Sequence, residues 1–270
     1  MSDTPLVIKF GGTSVGDGAR FSRVAKIATG AAQDRPLAVV VSAMSGITDT
    51  LLGCADATTG RTSTCATREE SIAELQRILS ERHLRAARGA VSPEHRPAVE
   101  ERLLALLEEL MRVLNEPSEN PAARRAEIAV HGERLSAEIL AGALKSAGTP
   151  AAVVAGDPIA TDEGFDGARV DPVETHKRCS RYVAPLLRDG AVAVVPGYVG
   201  RSPAGSPTTL GRGGSDLSAT VLGRALDSRE VWIMSDVDGV LDADPRLVPE
   251  AATLPQLSYR EASLFASLGA

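Results

Sequence analysis

Three stretches of this sequence place glycine, hydroxyl and charged side chains at spacings suited to handling anions. The first is Lys9-Phe10-Gly11-Gly12-Thr13-Ser14, closing the apolar run Pro5 to Phe10. A lysine inside such a run is costly to bury unless an anion compensates it, and paired glycines let a ligand reach backbone N–H groups. Together they suggest a phosphate cradle; a lysine that snorkels to water beside a simple turn is the plainer alternative. The stretch is not a Walker A loop, because the lysine precedes the glycines. The second stretch, Thr208-Thr209-Leu210-Gly211-Arg212-Gly213-Gly214-Ser215-Asp216, opens onto the helical pattern Leu217 to Leu226. Ser215 or Asp216 is expected to cap that helix, whose positive end and free N–H groups suit an anion, and Arg212 adds a fork for a carboxylate. A tight strand-to-helix turn would use the same residues. The third is Ser235-Asp236-Val237-Asp238-Gly239-Val240, followed by Asp242, Asp244 and Arg246. Acidic residues past the carboxyl end of a parallel strand lie where open α/β sheets bind ligands, and these could orient a Mg²⁺-nucleotide with Arg246 on a phosphate. A solvated turn explains an Asp-x-Asp-Gly sequence equally well.

The elements that must hold these stretches are short β-branched runs alternating with longer segments of helical period, the pattern of βαβ units around a mainly parallel sheet. Strands are expected at Pro5 to Phe10, Leu37 to Ser42, Ala151 to Ala155, Ala191 to Tyr198 and Glu230 to Ser235. Helices are expected near Gly18 to Ala31, from close to Ser45, and over 172–188, where Asp171-Pro172 reads as an N-cap followed by proline and Gly190 as the far stop. Residues 60–127 carry 11 Arg and 12 Glu, with Leu103, Leu104, Leu106, Leu107, Leu110, Met111 and Leu114 at helical spacing. That describes an amphipathic helical insert with a solvated outer face, packed on the parent domain.

Composition removes several classes of function. With 43% hydrophobic and 24% charged residues, the chain is that of an ordinary globular protein. No apolar run approaches the ~20 residues of a membrane helix and no signal pattern opens the chain, so a cytoplasmic protein without membrane partners is expected. The formal charge of −6 and an aromatic content of 3% argue against nucleic acid. An anionic ligand must then be held by a few placed cations and N–H groups. Cys54, Cys65 and Cys179 form no CxxC pair and read as reduced side chains.

Taken with Ser42-Ala43-Met44-Ser45-Gly46-Ile47-Thr48, Gly132-Glu133-Arg134-Leu135-Ser136 and Thr161-Asp162…Arg169-Val170-Asp171, the three stretches resemble aspartate kinase of the amino acid kinase superfamily, in the family's order and over essentially the whole chain. The resemblance implies a three-layer αβα sandwich with a mainly parallel central sheet, and transfer of the ATP γ-phosphoryl group to the side-chain carboxylate of L-aspartate, the entry to lysine, threonine and methionine. It implies ATP and Mg²⁺, with no metal held directly by protein ligands. Lys9 and Asp216 would be catalytic, Lys9 neutralising the transferring phosphoryl group and Asp216 orienting it. Lys9, Phe10, Gly11, Gly12, Ser235, Asp236, Leu241 and Arg246 would serve the nucleotide. Thr48, Glu133, Arg212, Gly213, Gly214 and Ser215 would hold aspartate, Glu133 receiving its ammonium and Arg212 a carboxylate. Arg169 lies in a stretch resembling a substrate-side loop.

Two departures stand out. Family members often carry Thr and Tyr where this chain has Ser235 and Leu241, and Leu241 removes a ring that could lie against the nucleotide. The sequence also stops at the residue before the family's Lys-Val-Leu-His-Pro segment, without the regulatory ACT domains that normally follow, so activity is expected to depend on what supplies that second cation. Another kinase of the superfamily, or a non-catalytic subunit that binds ATP and aspartate, is the alternative. A homodimer, or association with a longer aspartate kinase chain, is the expected partnership.

Overall fold

Alternation along β1 (Leu6–Phe10) decides what each of its side chains can meet. A computed structural model of the chain describes residues 4–58 and 67–267. In it β1 lies inside a five-stranded sheet with β2 (Leu37–Val41), β3 (Ala151–Val153), β4 (Val192–Pro196) and β7 (Glu230–Met234). The order is β3-β4-β2-β1-β7, and every pairing is parallel. Strands this apolar must be covered on both faces. Leu6, Ile8 and Phe10 face one cluster, with Val39, Val41 and residues of α1 (Gly18–Ala32), α2 (Ile47–Thr58), α3 (Arg68–Ala90), α4 (Arg96–Asn115) and α6 (His131–Ser146). Val7, Val40 and Val195 face a second, with α7 (Pro172–Tyr182), α8 (Ala184–Arg188) and α9 (Gly214–Ala225). The two clusters and the sheet between them are the three expected layers. A hairpin absent from the sequence reading, β5 (Val199–Arg201) with β6 (Pro207–Thr209), pairs antiparallel beside the sheet.

The charged stretch after residue 67 forms α3, α4 and α5 (Pro121–Ala129). Thr67 and Glu70 close a reciprocal capping box at the start of α3. Leu75 and Leu79 of α3, and Leu103, Leu107, Leu110 and Leu114 of α4, are buried in the first cluster, so the stripe packs on the parent helices as expected. Leu104 faces outward instead. Residues 60–66 of the expected insert, including Cys65, lie outside the described residues.

The helix expected over 172–188 is two helices. Asp171 caps α7 through the N–H groups of Val173 and Glu174, as read from the sequence. Pro185, however, has no N–H and cannot continue a helix through its own position, so α7 ends at Tyr182 and α8 restarts with the proline in its first turn. Contacts divide the chain into two compact units, Met1–Met234 and Ser235–Ala270. In the second, Leu241 bridges Thr253 antiparallel. Ser258 and Glu261 form the capping box that starts α10 (Tyr259–Ser267).

Candidate functional site

Parity places Lys9 on the Val7 side of the sheet, towards α9. Its side chain is 12% exposed, and Nζ lies 2.6 Å from Asp216 Oδ1 in the first turn of α9. The anion that compensates the buried lysine is therefore built into the fold, and it arrives on the second glycine-rich stretch. That stretch corrects one expectation. The N-cap position of α9 is Gly213, held at φ 71°, and no side chain caps the helix. Ser215 and Asp216 both lie inside the first turn, and the Asp216 carboxylate serves Lys9 instead of α9. Gly213 is needed because that left-handed conformation disfavours a Cβ.

The turn after β1 runs close against the loop after β2. A Cβ on Gly12 would sit 2.8 Å from the carbonyl oxygen of Ala43, so only glycine fits. Gly11 precedes a 3₁₀ turn over Gly12–Val15. Phe10, by contrast, is 1% exposed on the opposite face of the sheet, in the first core cluster. Only its main chain is available to a ligand.

Glu133 comes from the first turn of α6 and is 3% exposed. Gly132 lets the helix press onto the same loop, since a Cβ there would meet Ala43 Cβ at 2.8 Å. The carboxylate then accepts backbone N–H bonds from Ala43 and from its own residue, while Oε2 finds no donor. Burial outweighs the two backbone bonds and pushes the carboxyl up to about 8. A buried acceptor without a donor is expensive, so an arriving cationic donor would be strongly favoured.

Glu133, Lys9, Gly12, Thr48 and the Arg212–Ser215 segment all line one crevice of about 570 Å³. It has a cation held by Asp216 at one place, an unsatisfied buried carboxylate at another, and an exposed guanidinium, Arg212, on its rim. That set suits a zwitterionic acid meeting a phosphate. Arg169 does not line this crevice; its side chain is 90% exposed and pairs with Asp162 at 3.0 Å. Ser235, Asp236, Leu241 and Arg246 belong to the second unit. Within it Arg246 engages both Asp244 oxygens, which holds the Asp244 carboxyl down at about 2.

Among the lining residues that escaped the sequence reading are Arg125, Asp166 and Tyr198. Arg125 sat in a run read as a solvated face, yet on α5 it is only 25% exposed and contacts Asp56 at 3.1 Å and Asp166 at 3.5 Å. Tyr198 has φ 66°, which is unusual for a residue with a Cβ. Its N–H donates to Ser218 Oγ, and burial raises its phenol. The only cue was its place between two glycines, Gly197 and Gly200, at a strand end.

Comparison with known proteins identifies the family of the chain. A profile described as the amino acid kinase family matches residues 4–270. Over 98% of the chain, it is 35% identical to aspartokinase 2, chloroplastic, of Arabidopsis thaliana and 32% identical to an aspartokinase of Pseudomonas aeruginosa, covering 48% and 50% of those proteins. Among solved structures, Escherichia coli aspartokinase III in complex with aspartate and ADP superposes with a TM-score of 0.82 at 28% identity, over 97% of this chain and 56% of that one. The chain thus spans about half the length of the relatives it matches.

Proposed function

The chain belongs to the amino acid kinase family, and we propose that it transfers the γ-phosphoryl group of ATP to the side-chain carboxylate of L-aspartate, giving 4-phospho-L-aspartate. The observation that carries the reading is Glu133, a buried carboxyl group with an oxygen that has no hydrogen-bond partner, in the same crevice as the Lys9–Asp216 pair. An amino acid's ammonium supplies what that oxygen lacks. The solved relative that holds aspartate and ADP supports the same ligands here.

The reaction brings two anions together, so positioning and charge neutralisation carry most of the rate. Arg212 receives a carboxylate of the acceptor, and Thr48 with the Gly213, Gly214 and Ser215 backbone orients it. Lys9 offsets charge gathering on the transferring group, and Asp216 fixes the ammonium of Lys9 in place. The Gly11-Gly12 turn, in which Gly12 allows close approach to the Ala43 carbonyl, presents main-chain N–H groups to phosphate oxygens in this reading. Ser235, Asp236, Leu241 and Arg246, all of the second unit, are proposed as nucleotide-binding residues in their own right. No group of three or more His, Cys, Asp or Glu among the described residues is arranged to hold a metal ion. In this reading a Mg²⁺ comes with the nucleotide's phosphates, bringing charge neutralisation of its own. No described helix is long and apolar enough to cross a membrane. A cytoplasmic setting accords with Cys54 and Cys179, which are buried and unbridged.

The test is ADP release with Mg²⁺-ATP as a function of L-aspartate. Lys9→Ala is expected to lower turnover by ~10²–10³, the usual cost of removing a preorganised electrostatic donor. Turnover unchanged by that substitution would overturn the role assigned to Lys9.

A further inference from the structure

The acceptor crevice has a neighbour. A second cavity of about 420 Å³ lies beside it, and the two share four lining residues: Leu52, Arg125, Asp166 and Tyr198. The charged part of this shared wall is the Arg125–Asp166 contact at 3.5 Å, with Arg125 anchored from behind by Asp56 at 3.1 Å. Beyond the wall the cavity is lined by Ala122, Ala126 and Ala129 of α5, whose small side chains leave the space open. Asp166 is fixed in turn by its bridge to Thr209.

We infer that Arg125 is a specificity-determining residue: with Asp166 it forms a partition that ends the acceptor pocket and limits it to a short amino dicarboxylate. The inference rests on the acceptor reading above. Its logic is steric and electrostatic. With the guanidinium in place, an acceptor one methylene longer must push its distal carboxylate against the partition or displace Arg125 from two carboxylates. Without it, the crevice and the alanine-lined cavity join, and the longer chain is accommodated. A pocket typically separates homologues differing by one methylene by about 10–200-fold, so the partition sets a discrimination of that order.

The experiment measures binding of L-aspartate and L-glutamate by calorimetry, to the full chain with a non-hydrolysable ATP analogue present, in the wild type, Arg125→Ala and Arg125→Lys. Wild type is expected to prefer aspartate. Arg125→Ala should raise the glutamate-to-aspartate affinity ratio by about 10-fold or more, and Arg125→Lys, which keeps a cation and most of the length, should return it towards wild type. Asp166→Ala, in which Arg125 keeps its Asp56 anchor, should relax the ratio in the same direction by less, and it provides the test if Arg125→Ala does not fold. Equal weakening of both ligands in Arg125→Ala, with the ratio unchanged, would show a merely structural arginine and overturn the inference alone. A wild type that binds neither amino acid would overturn the acceptor reading and the inference with it.

Discussion

Replacing Glu133 with glutamine separates what this residue does for the fold from what it does for the ligand. Burial lifts its carboxyl from an ordinary 4.5 to about 8. A group raised on folding contributes stability that is complete below the unfolded value and is lost as pH rises through the folded value. At pH 7 the folded protein still holds this proton, whereas the unfolded chain has released it. Over the 2.5 pH units between 4.5 and 7, at about 1.36 kcal/mol per unit, the fold forgoes about 3 kcal/mol. Glutamine does not ionise and keeps an oxygen for the Ala43 N–H, so Glu133→Gln should recover most of that amount. Thermal melts would then rise by roughly 5–10 °C at pH 7, by the scaling for a chain of this size, with little change at pH 4. Differential scanning calorimetry from pH 4 to 8 reads both. The same substitution should abolish proton release on aspartate binding: in wild type, the arriving ammonium drives off about 0.9 proton at pH 7, measurable by titration calorimetry in buffers of different ionisation enthalpy. A Glu133→Gln variant that melts lower at pH 7, or wild-type binding without proton release, would refute the reasoning.

Two further outcomes follow from neighbouring geometry. His83 and His131 are buried, each donating Nδ1–H to a helix carbonyl, and burial lowers both to about 4 from 6.5. Each therefore stabilises the fold above pH 6.5 and withdraws about 3 kcal/mol as pH falls from 6.5 to 4. Set against the opposite slope of Glu133, this puts the stability maximum from these three groups near pH 6.5, and His83→Gln should flatten the acid limb in pH-dependent melts. Gly12→Ala would bring a Cβ to 2.8 Å from the Ala43 carbonyl, so the turn must shift. ATP affinity is expected to fall by at least 10-fold in a fluorescence titration, with stability reduced by about 1–3 kcal/mol.

The frame was largely legible because its signals are local. All five strands of the parallel sheet announce themselves as short β-branched or apolar runs, and Asp171-Pro172 starts α7 where expected. What sequence could not show are choices between partners distant along the chain. Asp216 looks like a cap until β1 parity sends Lys9 towards it, and only then is the carboxylate worth more to the lysine than to α9. Arg125 is one guanidinium among many in a charged run; two aspartates, on α2 and on the loop between β3 and α7, draw it inward. Tyr198 holds a backbone conformation no propensity favours, stabilised by Ser218 twenty residues away. Pro185 was visible, but the strong cap and stop on either side of it hid the break.

The central claim is that phosphate goes to a carboxylate, and trapping tests it most directly. An acyl phosphate reacts with hydroxylamine to give a hydroxamate, so the chain incubated with Mg²⁺-ATP, L-aspartate and hydroxylamine should form aspartyl β-hydroxamate in step with ADP, and form it ~10²–10³ times more slowly with Lys9→Ala. ADP released without hydroxamate, or hydroxamate formed equally by the variant, would contradict the account.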